Sequence, residues 1–218
     1  MDAPYLIQQA ADYARRRLSG LEAGHDWWHV YRVWQNAKAI VASEPGANKL
    51  VVELGALFHD IADSKFHRGD ESLAPRLTRA CLSEWGCPDQ VLDQVVFIVE
   101  NVSFRGASVP LVAGPLELQI VRDADRLDAL GAIGIARAFS FGGYRQRPFY
   151  DPELPPRPGM TSEEYKQRSG PTINHFYEKL LLLHDQMHTP TARALAARRH
   201  EFLELFLEEF YAEWEGRA

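Results

Sequence analysis

The sequence predicts an all-α protein on two observations. Apolar residues recur at helical spacing along nearly the whole chain, and no stretch shows the sustained apolar/polar alternation of a half-buried strand. Helices are predicted near residues 3–18, 25–43, 48–62, 70–85, 88–101, 115–128, 130–141, 163–187 and 190–215, about nine in all. Their ends carry the expected punctuation. LSGLEAG closes the first and SEPGAN the second, SEWGCPD separates the fourth from the fifth, and HTPTA puts Pro190 in the first turn of the last. That last helix lines up Leu203, Phe206, Leu207 and Phe210 on one stripe, which marks a packing helix. Residues 142–172 differ from the rest, being rich in Pro, Gly, Arg and Tyr. They predict a long loop, of the length that often serves as a lid or binding loop. With 218 residues, 46% of them hydrophobic, and no internal repeat or dividing linker, one domain with a sizeable core is expected.

Composition also excludes several classes. The longest apolar runs, KLVVELGALF and YEKLLLLH, fall well short of the roughly 20 residues a bilayer crossing needs. The first residues, MDAPYLIQQAADYARRR, have no apolar signal core, so a soluble cytoplasmic protein without membrane partners is expected. Cys81 and Cys87 are too few for a disulfide framework and lack zinc-site spacing, so both read as free thiols. A net charge of -6 argues against a nucleic-acid polymer as partner, because phosphate backbones need a broad face of Lys and Arg. A small anionic ligand stays open, provided a metal and local cations receive it.

The residues that stand out are a His-Asp pair. The dipeptide occurs three times, at His25-Asp26, His59-Asp60 and His184-Asp185, so context must discriminate. His59-Asp60 follows ELGALF and belongs to a helix that must be largely buried, where an unpartnered carboxylate is too costly to keep. A divalent ion is a partner that imidazole nitrogen and carboxylate oxygen can share, and Mn, Fe, Ni, Co or Zn all suit that donor set. Two further segments can complete its shell. GHDWWHVYRV presents His25 and His29 one turn apart on one helix face, and VRDADRLDALGAIG crowds Asp123, Asp125 and Asp128 into two turns of an otherwise apolar helix. Three carboxylates so close repel one another unless a cation, or Arg122 and Arg126, compensates. HDQMHTP, with His184, Asp185 and His188, lies at a helix end where solvated polar groups are ordinary, and a surface role is favoured there.

The ordered set His29, His59-Asp60 and Asp125 resembles the HD-domain metal-dependent phosphohydrolase superfamily, whose signature is H...HD...D. The local text HDWWHVYRV, LGALFHDIADSKFH, VRDADRLDALGAIGIARAFSFGG and NHFYEKLLLL is similar to one bacterial subgroup, the small YpgQ/YedJ-like HD proteins. The resemblance spans roughly residues 20–215. It implies a single helical HD-domain fold, with His29, His59, Asp60 and Asp125 as metal ligands. It also implies Mn2+ as the leading ion, with Mg2+, Ni2+, Co2+, Fe2+ and Zn2+ as substitutes.

Such a centre leaves positions for water and substrate, which suits hydrolysis of a phosphoester or phosphoanhydride. Asp63, at i+4 from His59, is placed to orient a ligand or accept a proton from the attacking water. HD enzymes that cleave guanosine polyphosphates carry HDxxED here, whereas this chain reads HDIADS and keeps one acid, which argues against an alarmone hydrolase. His25, Lys65, His67, Arg137, His175 and Lys179 are the candidate substrate-binding residues, with Arg145 and Arg147 joining if the long loop closes. Trp27, Trp28, Phe139, Phe141 and Tyr144 are candidates for stacking on a base, although core packing is the commoner fate of such residues.

The resemblance suggests a nucleotide substrate, a (deoxy)nucleoside triphosphate cleaved to monophosphate and pyrophosphate. An HD-type 5'-nucleotidase or cyclic-nucleotide phosphodiesterase would use the same four ligands. A di-iron oxygenase needs more ligands than IVENVSFRG supplies, since it offers Glu100 but no His. A non-catalytic metal-binding module is the remaining alternative, and a homodimer is compatible with all of these readings.

Overall fold

The computed structural model describes residues 2–20, 26–62, 70–102, 113–157, 159–160, 164 and 170–217. Among them no strand occurs, and the chain has the all-α fold of HD domains. The described residues gather into two compact units, one ending at Asp125 and the other beginning at Arg126.

The first unit contains α1 (Ala3–Arg17), α2 (Trp27–Val41), α3 (Lys49–Phe58), α4 (Leu73–Glu84), α5 (Asp89–Asn101) and most of α6 (Leu116–Asp128). Its centre is α3, which packs against α1, α2 and α5. KLVVELGALF is apolar nearly all round, and Val51, Val52, Leu54, Ala56, Leu57 and Phe58 are all fully buried. Each large side chain among them contributes about 1.5 to 3 kcal/mol of burial. Gly55 lets α5 approach closely, since a Cβ there would lie 3.0 Å from Ile98 Cγ2. Asn48 caps α3 by accepting from the N–H groups of Leu50 and Val51, and its own N–H donates to Glu117 Oε1 at 2.8 Å in the first turn of α6.

α3 ends four residues sooner than its periodicity predicts. It stops at Phe58, with His59 as C-cap and residues 59–62 in a turn. The His59 ring donates to the Ala56 carbonyl at 2.7 Å, the acceptor that the Asp60 N–H would need to continue the helix.

The second unit contains the end of α6, α7 (Gly131–Tyr144), α8 (Thr172–Glu178), a 3-10 helix (Leu180–Gln186) and α9 (Pro190–Trp214). α9 packs on α7 and on the 3-10 helix, and Phe139, Phe149, Phe176 and Phe206 form an aromatic cluster between the elements. Phe139 is thus a packing residue. Phe141 and Tyr144 are exposed.

The long helix expected over 163–187 is corrected to two short pieces. Pro171 sits at the N-cap of α8 and, lacking an N–H and restricting the residue before it, opens the helix there. Lys179 then leaves helical dihedrals (φ -145, ψ -56), and the chain continues as the 3-10 helix. Residues 163 and 165–169, where the expected helix began, lie outside the described residues. α7 runs three residues further than predicted, through the Gly142-Gly143 pair. Gly142 is a point of close approach, because a Cβ there would collide with the Thr172 hydroxyl.

Part of the predicted loop is held down. The first-turn N–H groups of α8 at Thr172 and Ile173 donate to the carbonyls of Pro148 and Phe149, each at 2.9 Å. Asn174 Nδ2 donates to Leu154 O at 2.7 Å, and Arg157 N donates to Glu178 Oε1 at 2.9 Å.

Candidate metal centre

Three elements of the first unit deliver the site. Asp26 caps α2 by accepting from the His29 N–H at 3.0 Å, which fixes His29 in the first turn. His59 and Asp60 stand just past the end of α3, and Asp125 comes from α6. Among the described residues, His29, His59 and Asp125 bring one ligand atom each within 4.8 Å of one another.

The spacings are those of groups sharing an ion. His29 Nε2 and His59 Nε2 are 3.2 Å apart, and Asp125 Oδ1 is 3.5 Å from the first and 3.9 Å from the second. Asp60 Oδ2 lies 3.9 Å from His29 Nε2. Ligand bonds of about 2.0 to 2.2 Å put neighbouring donor atoms roughly 3 to 3.5 Å apart, so the set fits a divalent cation with little adjustment. Tautomer chemistry agrees. A carbonyl can only accept, so the His59–Ala56 bond places the ring proton on Nδ1 and leaves Nε2 bare toward His29. Both histidines are buried, whereas the Asp125 side chain is 38% exposed and opens the site to solvent.

The carboxylates of α6 separate. Asp125 faces the imidazoles, while Asp128 accepts from Arg137 Nη1 at 2.6 Å and Asp123 is fully buried. Arg122 Nη2 donates to Asn101 O at 2.7 Å, and Arg126 Nη1 donates to Gln186 O at 2.8 Å and to His188 Nδ1 at 3.1 Å. His184 pairs with its neighbour Asp185 at 3.1 Å, and that aspartate is solvent-exposed.

Of the proposed substrate and catalytic residues, His25, Asp63, Lys65 and His67 lie outside the described residues. Arg137, His175 and Lys179 belong to the second unit. Arg137 donates through one nitrogen to both the carbonyl and the carboxylate of Asp128, closing the C-terminus of α6. Lys179 is the C-cap of α8, its N–H donating to the His175 carbonyl at 3.0 Å, and Lys179 and Arg147 both act on His175. Burial first, and then those two cations, push the imidazole down to about 3.

A pH dependence follows from His175. Its folded value lies below its ordinary value of 6.5, so the unfolded chain takes up a proton first as pH falls. The full stability is present above about 6.5 and is lost progressively toward about 3. Melting curves of wild type and His175→Gln from pH 7 to pH 4.5 are expected to show a smaller acid loss in the variant, and parallel curves would remove His175 as the cause.

Two contributors were not singled out from sequence. Asn36 donates to the Ala124 carbonyl at 3.1 Å, and Arg199 donates to that of Leu127. Asn36 was findable, because it lies seven residues after His29 and so on the same helix face. A backbone acceptor such as Ala56 O leaves no mark in a sequence.

The HD domain profile matches residues 27–130, which contain His29, His59, Asp60 and Asp125. YpgQ of Bacillus subtilis (strain 168) is 35% identical over 211 residues, 93% of this chain and 90% of that protein. The crystal structure of an HD-superfamily hydrolase from Bacillus thuringiensis superposes with a TM-score of 0.77 at 36% identity, covering 98% of each chain. The crystal structure of Bacillus subtilis YpgQ in complex with ADP superposes with a TM-score of 0.76 at 31% identity, covering 98% of this chain and 97% of that one. With the profile lying over the histidine and aspartate set and relatives aligned nearly end to end, the chain belongs to the HD-domain superfamily, in the YpgQ-like subgroup.

Proposed function

We propose that this protein is a metal-dependent phosphohydrolase that converts (deoxy)nucleoside triphosphates to the monophosphate and pyrophosphate. The observation that carries the reading is the convergence of the His29 and His59 imidazole nitrogens with the Asp125 carboxylate in the first unit, with Asp60 Oδ2 3.9 Å from His29 Nε2. His29, His59, Asp60 and Asp125 would hold the ion, with Mn2+ the first choice. A bound divalent ion supplies Lewis acidity and a more acidic water at that position. The ADP complex of the YpgQ relative supports a nucleotide as ligand.

The chain's own groups account for the rest. The Ala56 carbonyl keeps the His59 proton on Nδ1, so Nε2 stays a donor of electrons. Asp63 is the proposed acceptor of the proton released as the water oxygen bonds to the α-phosphorus and the bond from that phosphorus to the bridging oxygen breaks. His175 and Lys179 remain the proposed donors to phosphate oxygens in the second unit, with Arg147 now joining them because its charge reaches His175. His25, Lys65, His67 and Arg137 complete the proposed set.

Incubating the protein with Mn2+ and a nucleotide panel, then separating the products by chromatography, tests this reading. Pyrophosphate and a monophosphate are expected from triphosphates. Orthophosphate released from monophosphates alone, or opening of cyclic nucleotides alone, would replace the triphosphate reading by a nucleotidase or a phosphodiesterase.

A further inference from the structure

We propose that Asn36 is a positioning residue for the metal centre, and this inference rests on the metal-binding reading above. Asn36 sits two turns after His29 on α2, about 10.5 Å along the axis and on the same face. Its amide nitrogen donates at 3.1 Å to the carbonyl of Ala124, the residue immediately before Asp125. Ala124 is itself fully buried in the middle of α6. The bond therefore ties the helix that supplies one imidazole to the backbone that supplies the carboxylate, at one residue's remove from the ligand.

The arrangement has a purpose that packing alone would not serve. Apolar contacts between helices are tolerant of sliding, because dispersion has no direction, whereas a hydrogen bond loses most of its energy when its angle or length drifts. Metal sites tolerate distance errors of only about 0.2 Å. Asp125 needs such restraint more than the histidines do, since its side chain is 38% exposed while theirs are buried. The Asn48 N–H bond to Glu117 reaches α6 eight residues before Asp125, and the Arg122 bond to the Asn101 carbonyl three residues before it, whereas the Asn36 bond holds the adjacent residue.

Asn36→Leu removes the donor at similar size. Isothermal titration of the metal-free protein with Mn2+ is expected to show affinity weakened about 10- to 100-fold, the range for partners that orient ligands. The Co2+ absorption spectrum of the reconstituted variant is expected to change shape, which reports ligand geometry independently of stability. Thr78→Val is the control, because it deletes another buried bond, Thr78 Oγ1 to Ala74 O at 2.8 Å, and is expected to lower Tm without moving affinity or spectrum. Asn36→Ser, read in the same way, serves if the leucine variant does not fold. Wild-type affinity and spectrum in a folded Asn36 variant would overturn the inference while leaving the metal centre intact. Failure of the wild-type protein to bind Mn2+ would overturn both.

Discussion

Asp125→Asn protein is expected to fold with unchanged helical content and to lose Mn2+ affinity and any hydrolytic activity by more than about 100-fold, beyond the loss that follows removal of an orienting partner. Asn keeps the shape and surrenders the charge. The Asp125 Oδ1 atom stands within 4 Å of both imidazole Nε2 atoms, so its charge is common to both contacts. Its side chain is partly exposed, so the substitution leaves no buried cavity and stability should hold. Circular dichroism, metal analysis and product assays on the same preparation check all three statements. Full activity with bound metal would remove Asp125 from the centre. Loss of both with an unfolded spectrum would show a structural role instead.

The second large effect concerns Arg137. Arg137→Met is expected to destabilise the protein by about 3 kcal/mol, the low end for breaking a buried pair, because the Asp128 carboxylate, 2% exposed, loses its ion pair with Arg137 and keeps the attraction of Arg199. Arg137 is a quarter exposed, which holds the effect at that end of the range. For a chain of this length the loss corresponds to a Tm decrease of roughly 6 to 12 °C. If Arg137 also receives substrate phosphate, kcat/KM measured well below the transition falls as well. If closing α6 is its whole role, kcat/KM of the folded protein stays at the wild-type value while Tm drops.

Much of the fold is legible in the sequence because helical periodicity and capping are local signals. α2, α5, α6 and α9 begin and end within two residues of the expected limits. The misses have identifiable causes. α3 stops early because a side chain claims a backbone acceptor, and the 163–187 segment breaks at Pro171 and Lys179, where an apolar period through NHFYEKLLLL masks the change to a 3-10 helix. α7 overruns the glycine pair because Gly142 serves close packing against Thr172.

The sequence by itself determined the helical class, the burial of ELGALF before His59-Asp60, and the set of histidines and aspartates from which a centre can be drawn. Spacing within one helix says which residues share a face, and that was enough to pair His29 with its helix and to find three crowded carboxylates. Spacing alone left open which carboxylate meets the imidazoles, the family resemblance implied Asp125, and the tertiary structure puts Asp125 3.5 Å from His29 Nε2 while Asp128 is bound to Arg137. It also decided the tautomer of His59 and the tie from Asn36 to Ala124. The physical reason is one of range. Periodicity and capping act over a few residues, whereas these bonds join groups 9 to 96 positions apart or end on backbone carbonyls, whose chemistry is the same at every residue.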